Sequence, residues 1–432
     1  MKQLGQDLVP RRRKMVWRNW AIPVSYAVIA VVVGLTLPRI ENRWLPVIDS
    51  GLSPVAAVVI YSSIASGMMA LTGVVFSLVF VMVQFSAIAY SPRLVLWIVR
   101  DRVLWHSLGV FTATFLYSLA AIAWLDRNRS GSVPFFSGWL VILLLLTSVV
   151  MLVALIGRIS LFQIRRMLTL TGDYGRSVIE KVYPPLGAPM ATVAPEELQQ
   201  YPQTQTLLHK GRPRAIQGLD ERKLLASSLA AGGIVEVISS PGDFVVEGSV
   251  LLRICAGART IDEQALREAF EMGEERTFEQ DPRYAIRLLV DIGIKALSPA
   301  VNDPTTAVQA LDQIEDLLRR LGSRRLEIGA IRDKRGNLRL VIPHPAWEDF
   351  LVLAFEEIRF YGATSVQVIR RMNALVNDLI FALPQERHPP LQHYKQKLNA
   401  TIASAFENAE DRQQASIEDR QGLGHPRIHL GQ

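Results

Sequence analysis

One cysteine, Cys255, stands in the 432 residues, so no intramolecular disulfide can form, and a reducing compartment suits the chain. No GxxxxGK(S/T) phosphate loop occurs, and no HExxH or CxxC spacing. The nucleotide and zinc sites that those patterns build are therefore excluded. His344, His388, His393, His425 and His429 are scattered, and no Ser-His-Asp arrangement follows from their spacing. Asp281, Asp291, Asp303 and Asp312 lie near one another in sequence and read as surface or helix-cap carboxylates rather than as metal ligands. The chain is thus read as no enzyme, with no cofactor and no metal site. Charge is missing as well. No Asp, Glu, Lys or Arg occurs between Asp49 and Arg93, and none falls well inside the long apolar runs of the first 160 residues. Pumps and proton-coupled transporters carry such a residue at depth as a relay, so active transport is disfavoured.

What is present is apolar sequence, unevenly placed. Half of the residues are hydrophobic, mean hydropathy is +0.21, and the long uncharged runs precede Arg165. A bilayer core about 30 Å thick needs roughly 20 apolar residues in a helix. Four stretches meet that length, at about 17–37, 55–88, 103–124 and 139–156. The first lacks a small-residue cleavage site and is read as a span rather than a signal peptide. Trp17, Trp20, Trp44, Trp97, Trp105, Trp124 and Trp139 sit near segment ends, where interfacial tryptophans belong. Lys2, Arg11, Arg12, Arg13, Lys14 and Arg18 precede the first stretch, Arg93, Arg100 and Arg102 follow the second, and Arg158, Arg165 and Arg166 follow the fourth. The positive-inside rule then places both termini in the cytoplasm. Two spans inside 52–90 would spoil that pattern, so one long helix is predicted there.

The long second segment carries Ser63, Ser66, Ala70, Gly73 and Ser77 at alternating spacings of three and four, continued by Gln84. This is one stripe of small residues along a helix. Two readings stand: a close helix–helix contact, where small residues let backbones approach, or the lining of a polar pathway.

The remainder divides into a connecting helix and Pro-rich linker at 161–218, a small β module at 219–260, an α+β domain at 261–410 and a disordered tail at 411–432. Ile234–Ile238, Phe244–Val246 and Val250–Leu252 read as strands around Pro241-Gly242-Asp243 and Glu247-Gly248 turns. The phrase PGDFVVEGSVLL resembles a biotinyl/lipoyl half-barrel without the carrier lysine, so a packing or assembly module is expected. Helices are predicted at 261–272, 282–297 and 304–321, with a hairpin at 326–342 and three further helices to 407. Ser298, Asn302, Asp303, Thr305 and Thr306 lie in SPAVNDPTT. Asp303 fits an N-cap and Pro304 the first helical position. A structural cap and a contact or ligand loop are both open for this turn.

RTFEQDPRYAIRLLVDIGIKALSPAVNDPTTAVQAL (276–311), QFSAIAYSPR (84–93) and PGDFVVEG (241–248) together resemble a bacterial family of predicted membrane proteins with a domain of unknown function, number 2254. The resemblance implies a location in the bacterial inner membrane and this architecture, and supplies no mechanism. The predicted fold is an α-helical transmembrane bundle of four spans followed by an α+β cytoplasmic domain with a small β module. The function read from these features is an oligomeric channel, or channel-like permeation protein, with a regulatory or assembly domain. The alternative is a non-conducting scaffold or sensor that binds a ligand or partner protein. The expected partners are the lipid bilayer and further copies of the chain, not nucleic acid.

Overall fold

The computed structural model describes residues 15–44, 52–89, 101–127, 133–159, 164–187 and 195–424. The N-terminal basic cluster, Trp97 and the connection holding Arg93 and Arg100 lie outside them. The chain forms two compact units, Met1–Gln163 and Ile164–Gln432.

The first unit is four helices: α1 (Met15–Trp44), α2 (Pro54–Ala89), α3 (Arg102–Arg127) and α4 (Phe135–Ile159). All four are long and apolar enough to cross a membrane. The stretch between 54 and 89 is one unbroken helix. Each of the other three helices packs against α3, which buries Phe111, Ala113, Thr114, Tyr117, Ser118 and Ala121 among others. Small residues set the closest approaches. A Cβ on Gly34 would stand 2.6 Å from that of Ala120, and one on Gly109 would stand 2.9 Å from the Tyr26 ring. Dispersion across such approaches holds apolar helices together where lipid offers no hydrophobic drive. Polar links add direction: the Thr114 and Ser148 hydroxyls lie 2.9 Å apart, and Tyr26 Oη lies 3.2 Å from His106 Nδ1. Trp20 and Trp105, near the starts of α1 and α3, meet with ring centroids 5.0 Å apart.

The second unit combines an antiparallel helical bundle with a β module. Its helices are α5 (Ile164–Val182), α6 (Pro195–Gln199), α7 (Glu221–Ala231), α8 (Glu263–Arg267), α9 (Pro282–Ala296), α10 (Pro304–Gly322), α11 (Trp347–Tyr361), α12 (Val366–Ala382), α13 (His388–Ala405) and α14 (Ala409–Ser416). Helix directions follow from the pairings. Arg176 of α5 reaches Asp316 of α10 at 2.7 Å, and Glu180 accepts from Arg320 at 2.8 Å, so these two helices run parallel. Arg371 to Asp312 and Arg319 to Asp378 make α12 parallel to α10. Gly293 touches Ile358, each in the last turn of its helix, α9 and α11. Trp347 Nε1 donates to Arg387 O at 3.1 Å and Arg359 to Thr401 at 2.8 Å, which aligns α13 with α11. Thus α5, α10 and α12 run one way and α9, α11 and α13 the other.

The strands gather at one end of this bundle. They are β1 (Gln203–Leu208), β2 (Arg214–Leu219), β3 (Ile234–Val237), β4 (Phe244–Val245), β5 (Val250–Cys255), β6 (Phe270–Gly273), β7 (Ala330–Arg332) and β8 (Leu338–Val341). One sheet has the order β1-β5-β3-β8-β7 and the other β4-β2-β6. The β7–β8 hairpin leaves the helices and adds to β3 in parallel, Val235 opposite Leu340. Leu207, Ile216, Leu224, Val235, Leu251 and Leu340 share its core.

Several boundaries differ from the sequence reading. β1 and β2 fall in the stretch read as a Pro-rich linker, because pairing with β5 and β6 overrides their polar composition. The helix expected at 261–272 is only Glu263–Arg267, and Phe270–Gly273 instead pairs with β2. Within the stretch read as a disordered tail, the described residues 411–424 fold against the bundle, and 425–432 lie outside the described residues. Asp419 accepts from the backbone N–H groups of Gln421, Gly422 and Gly424, and Arg370 donates to the carbonyls of Gln414 and Gly424. The first span also runs past Pro38 to Trp44.

Candidate functional site

The small-residue stripe faces away from the helix that α2 packs on. Ala57, Tyr61, Ala65, Met68 and Val75 are the buried side of α2, each at most 4% exposed. Ser63, Ser66, Ala70, Gly73, Ser77 and Gln84 are all exposed. Positions 63, 70 and 77 each follow a buried residue by two, about 200° round a helix, which puts the stripe on the opposite face. A Cβ on Gly73 would meet no atom within 4 Å. Among the described residues, then, the stripe is not a packing seam inside this chain. Ser63 Oγ donates to Val59 O at 2.8 Å, so its hydroxyl is satisfied on its own helix.

The Ser298–Thr306 turn lies in the second unit. Asp303 caps α10, accepting from Thr306 N at 3.1 Å and from Thr306 Oγ1 at 2.5 Å. Asn302 has φ +47, the left-handed region that asparagine tolerates better than most residues. Ser298 Oγ donates to Lys295 O at 2.7 Å, and the Ser298 carbonyl accepts from Asn302 N at 2.8 Å. Ser298, Asn302, Asp303 and Thr306 therefore each have a part in building the turn, while Thr305 is exposed. Asp303→Ala is expected to cost about 0.5–2 kcal/mol through the lost cap. Asn302→Ala is expected to cost about 1 kcal/mol through the left-handed backbone, and Asn302→Gly close to nothing. Urea unfolding of the variants checks this, and equal losses for Asn302→Ala and Asn302→Gly would contradict it.

The segment around Asp281 is a joint between sheet and helices. The Gln280 side chain brackets Leu219, accepting from its N–H at 2.9 Å and donating to its carbonyl at 3.1 Å. Asp281 is 4% exposed, caps α9, and accepts from Arg283 Nε at 3.1 Å. Arg283 Nη2 in turn donates to Pro241 O, and Gly242 of the same turn (φ +93) packs against the Asp281 carboxylate. Burial pushes the Asp281 carboxyl above the usual aspartate range, with Arg283 pulling it back. Burial, with Arg283 adding to it, lowers the neighbouring His344 to about 4, so its imidazole is neutral at pH 7 and packs its edge on Tyr183. These groups fasten the β module to the start of α9.

Glu41 was not singled out in the sequence. It is 8% exposed, and its carboxylate accepts from Phe136 N (2.8 Å), Ser137 N (3.1 Å) and Ser137 Oγ (3.0 Å). A side chain at the end of α1 thus caps the start of α4. The only signal in the sequence was an acid a few residues beyond an apolar run.

Four apolar helices, three of them packed on α3, followed by a helical bundle with a β module, define a membrane protein with a large second domain. The chain belongs to the family described as "Predicted membrane protein (DUF2254)", whose model matches residues 18–378. Over 377 residues it is 26% identical to an uncharacterized protein of Mycobacterium bovis and to one of Mycobacterium tuberculosis strain H37Rv. Those alignments cover 83% of this chain and 71% of each relative. No solved structure matches.

Proposed function

We propose that this chain is a non-enzymatic, oligomeric channel or channel-like permeation protein of the bacterial inner membrane. Its termini and second unit are cytoplasmic, and the second unit gates or assembles it. The Lys and Arg distribution supports the orientation. The observation that carries the rest is the uncovered small-residue face of α2. A run of serine, alanine and glycine forgoes dispersion with acyl chains that larger side chains would make. Elsewhere in the same unit, Gly34 and Gly109 are used at close helix contacts. Copies of α2 around a shared axis would cover the stripe and border a polar, uncharged path.

The test is cysteine substitution at Ser63, Ser66, Gly73 and Ser77 in a Cys255→Ser background, with conductance measured in planar bilayers in potassium chloride. The expected result is reaction with small water-soluble thiol reagents, and loss of conductance in Gly73→Trp without loss of assembly. Unreactive cysteines, together with a Gly73→Trp chain that no longer assembles, would replace this reading with the non-conducting scaffold or sensor.

A further inference from the structure

Residues 409–424, α14 and the turns after it, lie along α12 as a strap. Of the strap, only Ala415, Asp419 and Gly422 are buried, so little apolar area holds it down. A row of donors on α12 holds it instead. Gln367 Nε2 donates to Gly422 O at 2.6 Å. Arg370 donates to Gln414 O and to Gly424 O, each at 2.7 Å, and to Gln414 Oε1 at 2.9 Å. Gly422 also packs on Val308 of α10, and Arg420 meets Asp378 at 2.6 Å. Hydrogen bonds of this kind trade against bonds to water at small net gain, so the strap can be exchanged for another acceptor.

Beneath the strap, donors outnumber acceptors. Arg370 is 4% exposed, yet its bonds all go to neutral oxygens, and no carboxylate pairs with it among the described residues. A buried guanidinium is ordinarily paired with an anion. Arg371, one residue on, is 5% exposed and does have carboxylates, Asp312 and Glu315. Its Nη1 has no acceptor, although it is sealed from solvent. Gly422 closes over this side chain, and a Cβ there would stand 3.7 Å from Arg371 Cδ. Asp419, the acid that the strap buries, spends its carboxylate on the strap's own N–H groups at 421, 422 and 424. An acceptor that carries negative charge is what these arginines lack.

We propose that Arg370 and Arg371 form a binding site for a small soluble oxyanion, and that residues 409–424 occupy it as a strap which the anion displaces. The strap supplies carbonyl dipoles where the oxygens of the ligand would sit, and a planar guanidinium fork matches such oxygens. With Gly422 seated on Arg371 the spare Nη1 is sealed, so binding and release of the strap are one equilibrium. The apparent affinity is then lowered by the small fraction of chain whose strap is open. Both arginines lie inside the residues that the family model matches, and the strap lies beyond them. The site stands whether or not the chain conducts.

Inorganic phosphate is the probe, titrated by phosphorus NMR into full-length chain in dodecyl maltoside, which carries no phosphate of its own. Potassium chloride holds the ionic strength constant. Two variants unseat the strap by different means. Asp419→Ala removes the acceptor that folds its last turn, and Gly422→Trp cannot fit against Val308 and changes no charge. Each is expected to bind phosphate about tenfold or more tightly than wild type, because the strap no longer competes. Adding Arg370→Gln to either is expected to abolish binding. In the wild type, phosphate is expected to speed tryptic cleavage after Arg420. Absence of saturable binding in every chain would overturn the proposal. So would unseated chains that bind no more tightly than wild type, or binding that survives Arg370→Gln.

Discussion

Arg371→Ala is expected to destabilise the second unit by about 3–5 kcal/mol, the usual cost of removing one partner of a buried ion pair. Arg371 lies on α12 and is 5% exposed. Its Nε donates to Asp312 at 2.8 Å and its Nη2 to Glu315 at 2.5 Å, both on α10. Glu315 is itself 8% exposed, so truncation strands a carboxylate with little water to solvate it. Arg319 still donates to Glu315 at 2.8 Å, which places the loss toward the lower end of that range. The pair as a whole contributes less than its removal costs, since desolvation offsets much of its attraction. The double variant Arg371→Leu, Glu315→Leu is therefore expected to lose less than Arg371→Ala alone. Urea unfolding followed by circular dichroism in detergent measures both. A loss under about 1 kcal/mol for Arg371→Ala would show that water or a neighbouring cation solvates Glu315 after all.

The features legible in the sequence were those written in contiguous residues. A membrane span is some 20 apolar residues in a row, so α1 to α4 could be read directly. The Asp303-Pro304 start of α10 was legible because cap and first-turn preferences act within a few positions. What stayed hidden depends on partners far away. β1 reads as a polar linker until β5 lies beside it, and β6 reads as helix until it meets β2. Asp419 looked like part of a solvated tail, yet three backbone N–H groups close on it once Arg370 holds the neighbouring carbonyls. The stripe on α2 was legible as a face, but its direction was not, because the sequence does not say which side meets α3. Asn302 also resisted explanation, since only the backbone angle gives its reason.

Glu41→Ala is the second large effect expected, with a loss of about 1–3 kcal/mol from the first unit. The first N–H groups of a helix have no partner within it, and at the start of α4 Glu41 satisfies those of Phe136 and Ser137. The carboxylate also meets the positive end of the α4 dipole, which strengthens the contact where solvent is scarce. Its removal leaves two donors and the Ser137 hydroxyl to find other acceptors beside a region of low polarity, and it unties α1 from α4. Glu41→Gln keeps an acceptor oxygen but no charge, so its loss should fall between those of wild type and Glu41→Ala. Asp is too short to reach from the same backbone and should behave closer to Ala. Unfolding midpoints in mixed detergent micelles give the order. If Gln and Ala are equally damaging, the charge rather than the hydrogen bond carries the contact. If neither variant moves the midpoint, the cap is made by solvent and Glu41 does not hold these helices together.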